Sequence, residues 1–301
     1  MPSGQFVNRT NIELPGEVSA EILQKTQEAS AVMRLARRVN LPGNGLTIPM
    51  ITGDPVATWV TETGSKPVSQ PTLGKKVMQA HKLAVIVPFS MEFQRDRAAL
   101  YAECVRRLPN ALGKQFDVTA FFGPASGTLA NFDNLSGVTA QSLDASGKTA
   151  YDGLVAADID ISEHGGTVNG FAFSPQGRGI LLSAVDTSKR PLFINSASEG
   201  AIPRLLGAPT YFAQSAYKAG SSGTQDIVGF AGDWDHAMWG TVEGVKIDIS
   251  TEATLTYVNE RSETVTINLF QQNMFAVRAE IEAGFVAEKE YFNALTREHS
   301  A

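Results

Sequence analysis

Few positions in the chain combine residue types that could bind phosphate or activate a nucleophile. Gly147-Lys148-Thr149 has the ending of a phosphate-binding loop, whose backbone amides would surround phosphate oxygens. That motif also needs a glycine at the position of Ser142, and residues 143–146 are not a strand that feeds a helix. We therefore interpret the segment as a solvated turn. The sequence also lacks the Gly-x-Ser-x-Gly and His-Glu-x-x-His motifs of hydrolases and metalloproteases.

Metal-binding and thiol chemistry have equally weak support. Residues 233–236 (Asp-Trp-Asp-His) place two carboxylates and an imidazole close together, which are groups that zinc accepts. The flanking glycines and the large apolar side chains in and after the segment favour a turn that leads into packed structure. Cys104 falls on an apolar helical face with no base nearby in sequence, which predicts a buried structural thiol. The sequence thus predicts no cofactor, no metal site and no enzyme.

Composition narrows the class of protein further. The chain has 301 residues, of which 43% are hydrophobic and 19% charged, so it can fill a core. Its net charge of −6 argues against a basic protein that wraps nucleic acid. No apolar run approaches the roughly 20 residues that span a bilayer, and the N-terminal residues do not resemble a secretion signal. A single cysteine excludes an internal disulfide. We expect a soluble protein made in a reducing cytoplasm.

The first third of the chain alternates between extended and helical patterns. Residues 1–16 are polar and broken by proline and glycine, which predicts an extended arm. From Glu17 to about Arg38, apolar residues recur at helical spacing, with acidic residues in the first turn and arginines in the last. Residues 46–88 contain two strand-like segments around a long polar stretch whose largest apolar residue is Trp59. Such a stretch has no core of its own and predicts a two-stranded arm that reaches a neighbouring subunit.

The remainder predicts a long helix, a mixed domain and two long strands. Residues 91–122 follow the helical period, and Pro109 is expected to kink this helix into two segments. Residues 125–249 mix short strands with helices near 151–163 and 176–185. Near the C-terminus, apolar residues alternate with Arg278, Glu280 and Glu282, which predicts strands with one buried and one polar face.

This order of elements, together with several short stretches, resembles the major capsid proteins of tailed bacteriophages. The stretches that carry the resemblance are Phe122–Gly127 followed by Asn134–Gly137, Leu205–Thr210, Gly232–Trp234, Gln272–Glu280 and Phe292–Leu295. No stretch is specific alone, but their common order over about 200 residues is. The chain departs from some family members in lacking a long helical N-terminal extension, because only about 45 residues precede the extended loop.

The resemblance implies an α+β architecture, the Hong Kong-type phage capsid fold. That fold has an N-terminal arm, an extended E-loop, a peripheral (P) domain with a long spine helix, and an axial (A) domain. On this reading the divisions are an arm and helix at 1–45, the E-loop at 46–88, the P domain with its spine helix at 89–128, the A domain at 129–249, and P-domain return strands at 250–301.

The function implied by the resemblance is that of a shell subunit. Copies would form pentamers and hexamers of an icosahedral capsid, assembled in the host cytoplasm and present in the virion. Its partners would be other copies, a separate scaffolding protein or none, portal and decoration proteins, and packaged double-stranded DNA in weak, nonspecific contact; no membrane is implied. One alternative is an encapsulin-type compartment, which shares the fold but packages a cargo enzyme. Another is a soluble enzyme whose site has no recognised motif.

The resemblance also implies a covalent cross-link between subunits. In cross-linking family members, an E-loop lysine followed by proline joins an asparagine on a neighbouring P domain, assisted by a glutamate seven residues after that asparagine. Lys66, Asn273 and Glu280 match this pattern. The amine must be neutral to attack, and apolar surroundings favour the neutral form. The alternative is that Lys66 lies at an ordinary exposed loop tip, Asn273 at a strand entry and Glu280 on a polar strand face.

Overall fold

The computed structural model describes residues 29–43, 45–53, 57–60, 65–66, 68, 70, 72–96, 98–125, 127, 129–185, 190–193, 204–221, 224–259 and 261–299. The arm predicted at 1–16 and most of the helix that follows it lie outside these residues. The helices described are α1 (Ala31–Leu35), α2 (Met91–Asp96), the spine helix α3 (Ala98–Phe122), α4 (Ala150–Glu163) and α5 (Pro175–Ser183), with 3-10 turns at Gln214–Ala216, Trp234–His236 and Lys289–Tyr291.

The strands described are β1 (Arg37–Asn40), β2 (Leu46–Gly53), β3 (Thr72–Met78), β4 (His81–Ser90), β5 (Thr139–Ser142), β6 (Gly170–Phe173), β7 (Arg204–Leu205), β8 (Ala208–Phe212), β9 (Asp226–Gly232), β10 (Ala237–Thr241), β11 (Lys246–Ser250), β12 (Thr254–Val258), β13 (Thr264–Asn268), β14 (Met274–Ala287) and β15 (Phe292–Arg297). The helices predicted near 151–163 and 176–185 agree with α4 and α5 to within two residues.

The first described helix is shorter than the sequence predicted. The prediction extended the helix to about Arg38, but α1 ends at Leu35, and Ala36 adopts an extended conformation. β1 then pairs in parallel with β10, which places Arg38 opposite Trp239. The guanidinium carbon of Arg38 lies 5.6 Å from the centre of the Trp239 ring. Pairing with a buried strand therefore overrides the helical preference of the arginines.

One five-stranded sheet is organised around the long strand β14. β4 pairs with β14 from Met274 to Ala283, β11 and β10 pair with it in succession, and β1 extends the sheet beyond β10. Apolar side chains on one face of β14 are buried, whereas Arg278, Glu280 and Glu282 lie on the opposite face. This alternation confirms the predicted two-faced strand.

The second sheet has six strands in the order β5-β15-β9-β6-β8-β7. The domain boundaries given above remain predictions. β10 precedes residue 250 yet shares a sheet with β14, and β15 follows residue 250 yet lies in the six-stranded sheet beside β9. Sheet membership depends on long-range pairing, which local sequence patterns do not encode.

The spine helix packs against both sheets. Phe121 stacks on Phe230 of the six-stranded sheet, with ring centres 4.6 Å apart, and Phe116 meets Phe285 of β14 edge-on at 6.3 Å. The helical residues continue without interruption through Pro109, and the kink expected there stays a prediction. Pro109 and its neighbour Leu108 are buried, and this packing holds the helix together across the missing backbone donor.

A buried carboxylate joins three parts of the chain. Asp117 on the spine helix is fully buried and accepts hydrogen bonds from the backbone N–H groups of Ala31 (2.9 Å) and Val32 (3.2 Å) at the start of α1. It also accepts hydrogen bonds from the hydroxyls of Ser30 and Ser215, the latter at 2.8 Å. The carboxylate thereby satisfies donors that the start of a helix leaves free. The segment that follows the N-terminal arm is thus fixed to the spine helix and to the 3-10 turn at Gln214–Ala216.

Candidate functional site

The described part of the E-loop begins as a two-stranded hairpin, β2 and β3, fixed at its base. The Lys76 ammonium donates hydrogen bonds to Asp133 Oδ2 (2.7 Å) and to the carbonyl oxygen of Ala287 at the end of β14 (2.5 Å). The N–H of Ala287 donates to the same Asp133 oxygen at 3.2 Å. Met78 is buried beside Val286. These contacts fix the direction in which the hairpin leaves the sheet.

Beyond the hairpin, the described E-loop residues are exposed. Lys66 is exposed, and the neighbouring Val68 is 88% exposed. Trp59 has no protection from solvent within the subunit. Covering the Trp59 and Val68 side chains by another surface would remove this apolar area from water and would be favourable.

Asn273 occupies a hydrogen-bonded turn between β13 and β14. Its N–H donates to the carbonyl oxygen of Phe270 (3.4 Å), and the N–H of Met274 donates to that of Leu269 (2.8 Å). Asn273 itself has a φ of 54°. This is the Schellman pattern, in which the left-handed position prefers glycine or asparagine, and the buried pair Leu269 and Met274 supplies its usual apolar contact. The turn therefore gives Asn273 a structural reason for its identity and also presents its side chain to solvent.

Glu280 lies in the middle of β14, on the face away from the core. Its Oε2 lies 3.6 Å from Nε of Arg278, and Arg278 in turn contacts Asp248 of β11 at 2.5 Å. Lys82 and Glu282 form another ion pair on this face, at 3.0 Å. Glu280 therefore belongs to a surface of paired charges and is only partly exposed.

The structure does not bring Lys66, Asn273 and Glu280 together within one subunit. β14 pairs with β4 without a register shift from Met274 to Ala283, and seven residues of such a strand span about 23 Å, which separates Asn273 from Glu280. β4 enters the sheet with His81 opposite Ala283, so the base of the E-loop adjoins the end of β14 that is remote from Asn273. If these residues act jointly, they must come from different copies of the chain.

The phosphate-loop candidate has a structural role in this fold. Thr149 caps helix α4: its side chain accepts from the N–H of Asp152, and Asp152 accepts from the N–H of Thr149. This reciprocal arrangement is a capping box. Hydrogen bonds from the Thr149 backbone and side chain lower the pKa of Asp152. Residues 147–149 are therefore the turn that starts a helix, as the sequence indicated.

The candidate metal segment is also a structural turn. Asp233 accepts hydrogen bonds from the N–H of Thr167 (3.1 Å) and the side-chain amide of Asn169 (2.8 Å). His236 turns away to stack on Tyr291, with ring centres 3.7 Å apart, and its Nδ1 lies 3.1 Å from Glu288. Across the described residues, no group of three or more acidic, histidine or cysteine side chains could hold a metal ion.

The sequence did not predict two features of this region, and the burial predicted for a third residue was too high. Phe270 is 77% exposed beside Asn273, and no periodic pattern marks it because it lies in a turn. The contact between Lys76 and Asp133 joins residues far apart in sequence and has no local signal. Cys104 was predicted to be buried but is only half-buried, packed against the edge of the main core. In the described part of the chain, no helix is long and apolar enough to cross a membrane.

Comparison with known proteins gives consistent matches. The model of the phage capsid family matches residues 12–296. The chain is 29% identical over 299 residues to the probable major capsid protein gp17 of Mycobacterium phage D29, covering 94% of this chain and 89% of that protein. It is 26% identical to the major capsid protein of Staphylococcus phage 80alpha, covering 88% and 79%. A solved structure from Microbacterium phage Oxtober96 superposes with a TM-score of 0.71 at 21% identity, covering 99% and 96%.

These matches, with the arrangement of spine helix, hairpin and sheets, define the class: the chain belongs to the phage capsid family and has the Hong Kong-type fold. Its function is that of a major capsid protein of tailed phages, a structural protein and a component of the virion. The encapsulin alternative is not favoured, because the matched relatives are phage capsid proteins.

Proposed function

We propose that copies of this chain assemble as pentamers and hexamers into an icosahedral shell around double-stranded phage DNA. The observation that carries the proposal is the exposure of the apolar side chains Trp59, Val68 and Phe270. A single subunit leaves these side chains in water, whereas contact with neighbouring copies removes apolar surface from water and stabilises the assembly.

Electron microscopy of the purified protein tests the assembly directly. We expect closed particles whose five-fold and six-fold clusters are visible in averaged images. A species that remains a small oligomer at all protein concentrations contradicts the proposal. Particles from infected cells should contain double-stranded DNA, and a co-purifying enzyme in place of DNA would indicate a compartment instead.

We also propose that Lys66 of one copy forms an isopeptide bond with Asn273 of another. The neutral Lys66 amine attacks Cγ of Asn273, the new Nζ–Cγ bond forms, and the Cγ–Nδ2 bond breaks. Glu280 accepts a proton from the attacking amine and returns it to the departing nitrogen, which leaves as ammonia. No oxidant, metal or cofactor enters this balance.

The spacing along β14 supports a division of these roles among copies. Because Asn273 and Glu280 are about 23 Å apart in one subunit, a glutamate that assists the reaction comes from a different copy than the asparagine. The ordered turn supports the attack in another way, since hydrogen bonds to Phe270 and Leu269 hold the backbone that carries the carboxamide. Each bond formed then ties together separate subunits.

A denaturing gel of boiled particles tests the bond with matched variants. We expect a ladder of covalent oligomers from the unmodified protein and a single band near 32 kDa from Lys66→Arg, which keeps the charge of Lys66. Asn273→Gly also removes the ladder while preserving the left-handed turn. Glu280→Gln should slow the appearance of the ladder. A single band from mature unmodified particles, or a ladder that persists in Asn273→Gly, refutes the bond.

The proposal of a capsid shell also includes contact with the packaged DNA and with accessory capsid proteins. A net charge of −6 suits a container that does not bind its DNA tightly, so contact with DNA is weak, nonspecific and salt-dependent. Portal, scaffolding and decoration proteins are expected partners, and assembly is expected in the host cytoplasm. Mass spectrometry of purified particles and of their precursors identifies these proteins.

A further inference from the structure

Phe270 is held outward by the turn that presents Asn273. Its neighbour Leu269 is fully buried and packs with Met274, whereas Phe270 is 77% exposed. The carbonyl oxygen of Phe270 accepts the hydrogen bond from the N–H of Asn273. An aromatic side chain in water and a carboxamide are therefore presented together on one hydrogen-bonded turn.

The E-loop carries a complementary pair. Lys66 and Val68 are both exposed, and they flank Pro67 in sequence. Because each trans peptide spans about 3.8 Å between Cα atoms, the Cα atoms of Lys66 and Val68 lie within about 8 Å of each other. The ammonium of Lys66 and the apolar side chain of Val68 can thus approach one surface at the same time.

We propose that Phe270 is the docking contact for Val68 of a neighbouring copy, and that this contact positions Lys66 against Asn273. The inference rests on the proposed cross-link, which brings Lys66 to the turn and so brings Val68 within reach of Phe270. The contact covers two exposed apolar side chains, and it excludes water from the attacking amine, which favours its neutral form. Phe270 is a positioning residue, because it takes no part in bond making.

Engineered cysteines test the contact separately from the isopeptide bond. In a Cys104→Ala background, Val68→Cys combined with Phe270→Cys should give a disulfide-linked ladder when assembled particles are oxidised, since disulfides form only between close Cβ atoms. Combining each cysteine variant with Lys66→Arg removes the native bond from the gel. Absence of the ladder overturns the docking contact. Dimers from Phe270→Cys alone also overturn it, because they show that Phe270 meets its own counterpart.

A labelling experiment on the single variant adds a second readout. Phe270→Cys should react with a maleimide about tenfold more slowly in particles than in dissociated subunits, and equal rates contradict coverage. If the disulfide ladder forms but unmodified particles give no isopeptide ladder, docking holds and the cross-link proposal fails. If the isopeptide ladder forms without the disulfide ladder, the cross-link holds and the docking contact is wrong.

The positioning role is tested by the rate of isopeptide formation as a function of pH. Phe270→Ser should slow the reaction by about tenfold or more, because the reacting amine loses its orientation. It should also move the profile of rate against pH to higher pH. Phe270→Leu, which keeps an apolar contact, should restore most of the rate and the original profile. A uniform loss without a change in the profile, or equal loss in both variants, contradicts the positioning role.

Discussion

Exchanging Asp117 for asparagine replaces a buried carboxylate with a neutral amide of nearly the same shape. In the native subunit, burial raises the pKa of Asp117 from 3.8 to about 6, and hydrogen bonds from Ser30, Ala31, Ser215 and Val32 oppose that rise. Between about pH 4 and pH 6 the folded chain therefore holds a proton that the unfolded chain has released. The stability of the wild-type subunit should rise as the pH falls through this range.

The size of this change in stability follows from the shift in the pKa of Asp117. A pKa raised from 3.8 to about 6 corresponds to about 3 kcal/mol between the limits of low and neutral pH, and about 1 kcal/mol of it should be present at pH 5. Asp117→Asn removes this titration. At pH 7 the variant loses the acceptor for one of the two backbone N–H groups of Ala31 and Val32, a cost of about 1–3 kcal/mol, but also avoids burying a charge. The two effects offset each other at neutral pH, so the change with pH is the sharper test.

Urea unfolding of unassembled subunits measures this change. Trp234 and Trp239 are buried, so their fluorescence should report unfolding. The free energy of unfolding of the wild type, minus that of Asp117→Asn, should increase by about 1 kcal/mol from pH 7 to pH 5. Ser215→Ala keeps the carboxylate and removes a hydrogen bond that lowers its pKa, so its rise should begin at higher pH. A difference independent of pH refutes the assignment of the titration to Asp117.

Three further predictions follow from packing and exposure. Pro109→Ala should raise the free energy of unfolding by up to about 3 kcal/mol, because a donor returns to an already continuous helix, and a loss in urea unfolding would show that the proline ring is needed for packing. Lys76→Met should cost about 1–2 kcal/mol through loss of its contacts with Asp133 and Ala287, whereas the exposed neighbour Lys75→Met should change stability by less than about 0.5 kcal/mol; equal costs would contradict this anchor. Amides at 57–60 and 65–66 should exchange hydrogen rapidly in free subunits and slowly in assembled particles, and equal rates in both would show that neighbours do not cover the E-loop.

Local patterns were sufficient to predict the helices near 151–163 and 176–185, although the caps Thr149 and Ser174 were not foreseen. The alternation of apolar residues with Arg278, Glu280 and Glu282 likewise marks the middle of β14 and its charged face. These features depend on residues close in sequence, so the sequence alone determines them. The order of motifs also identified the capsid fold, because a resemblance spread along the chain does not require knowledge of contacts.

Only the tertiary structure determined which distant segments pair as strands and which polar groups from distant segments contact each other. Residues Arg37–Asn40 form a strand because they pair with β10, although arginines favour helix. The spine helix continues through Pro109 because the residues around the proline are packed. Asp117 meets Ser30 and Ser215 only after three segments converge, and burial there sets its pKa. The pairing of His81 with Ala283 places the base of the E-loop at the end of β14 remote from Asn273, which spacing in sequence did not reveal. Each of these depends on long-range contacts, and their energies exceed the local preferences of the residues involved.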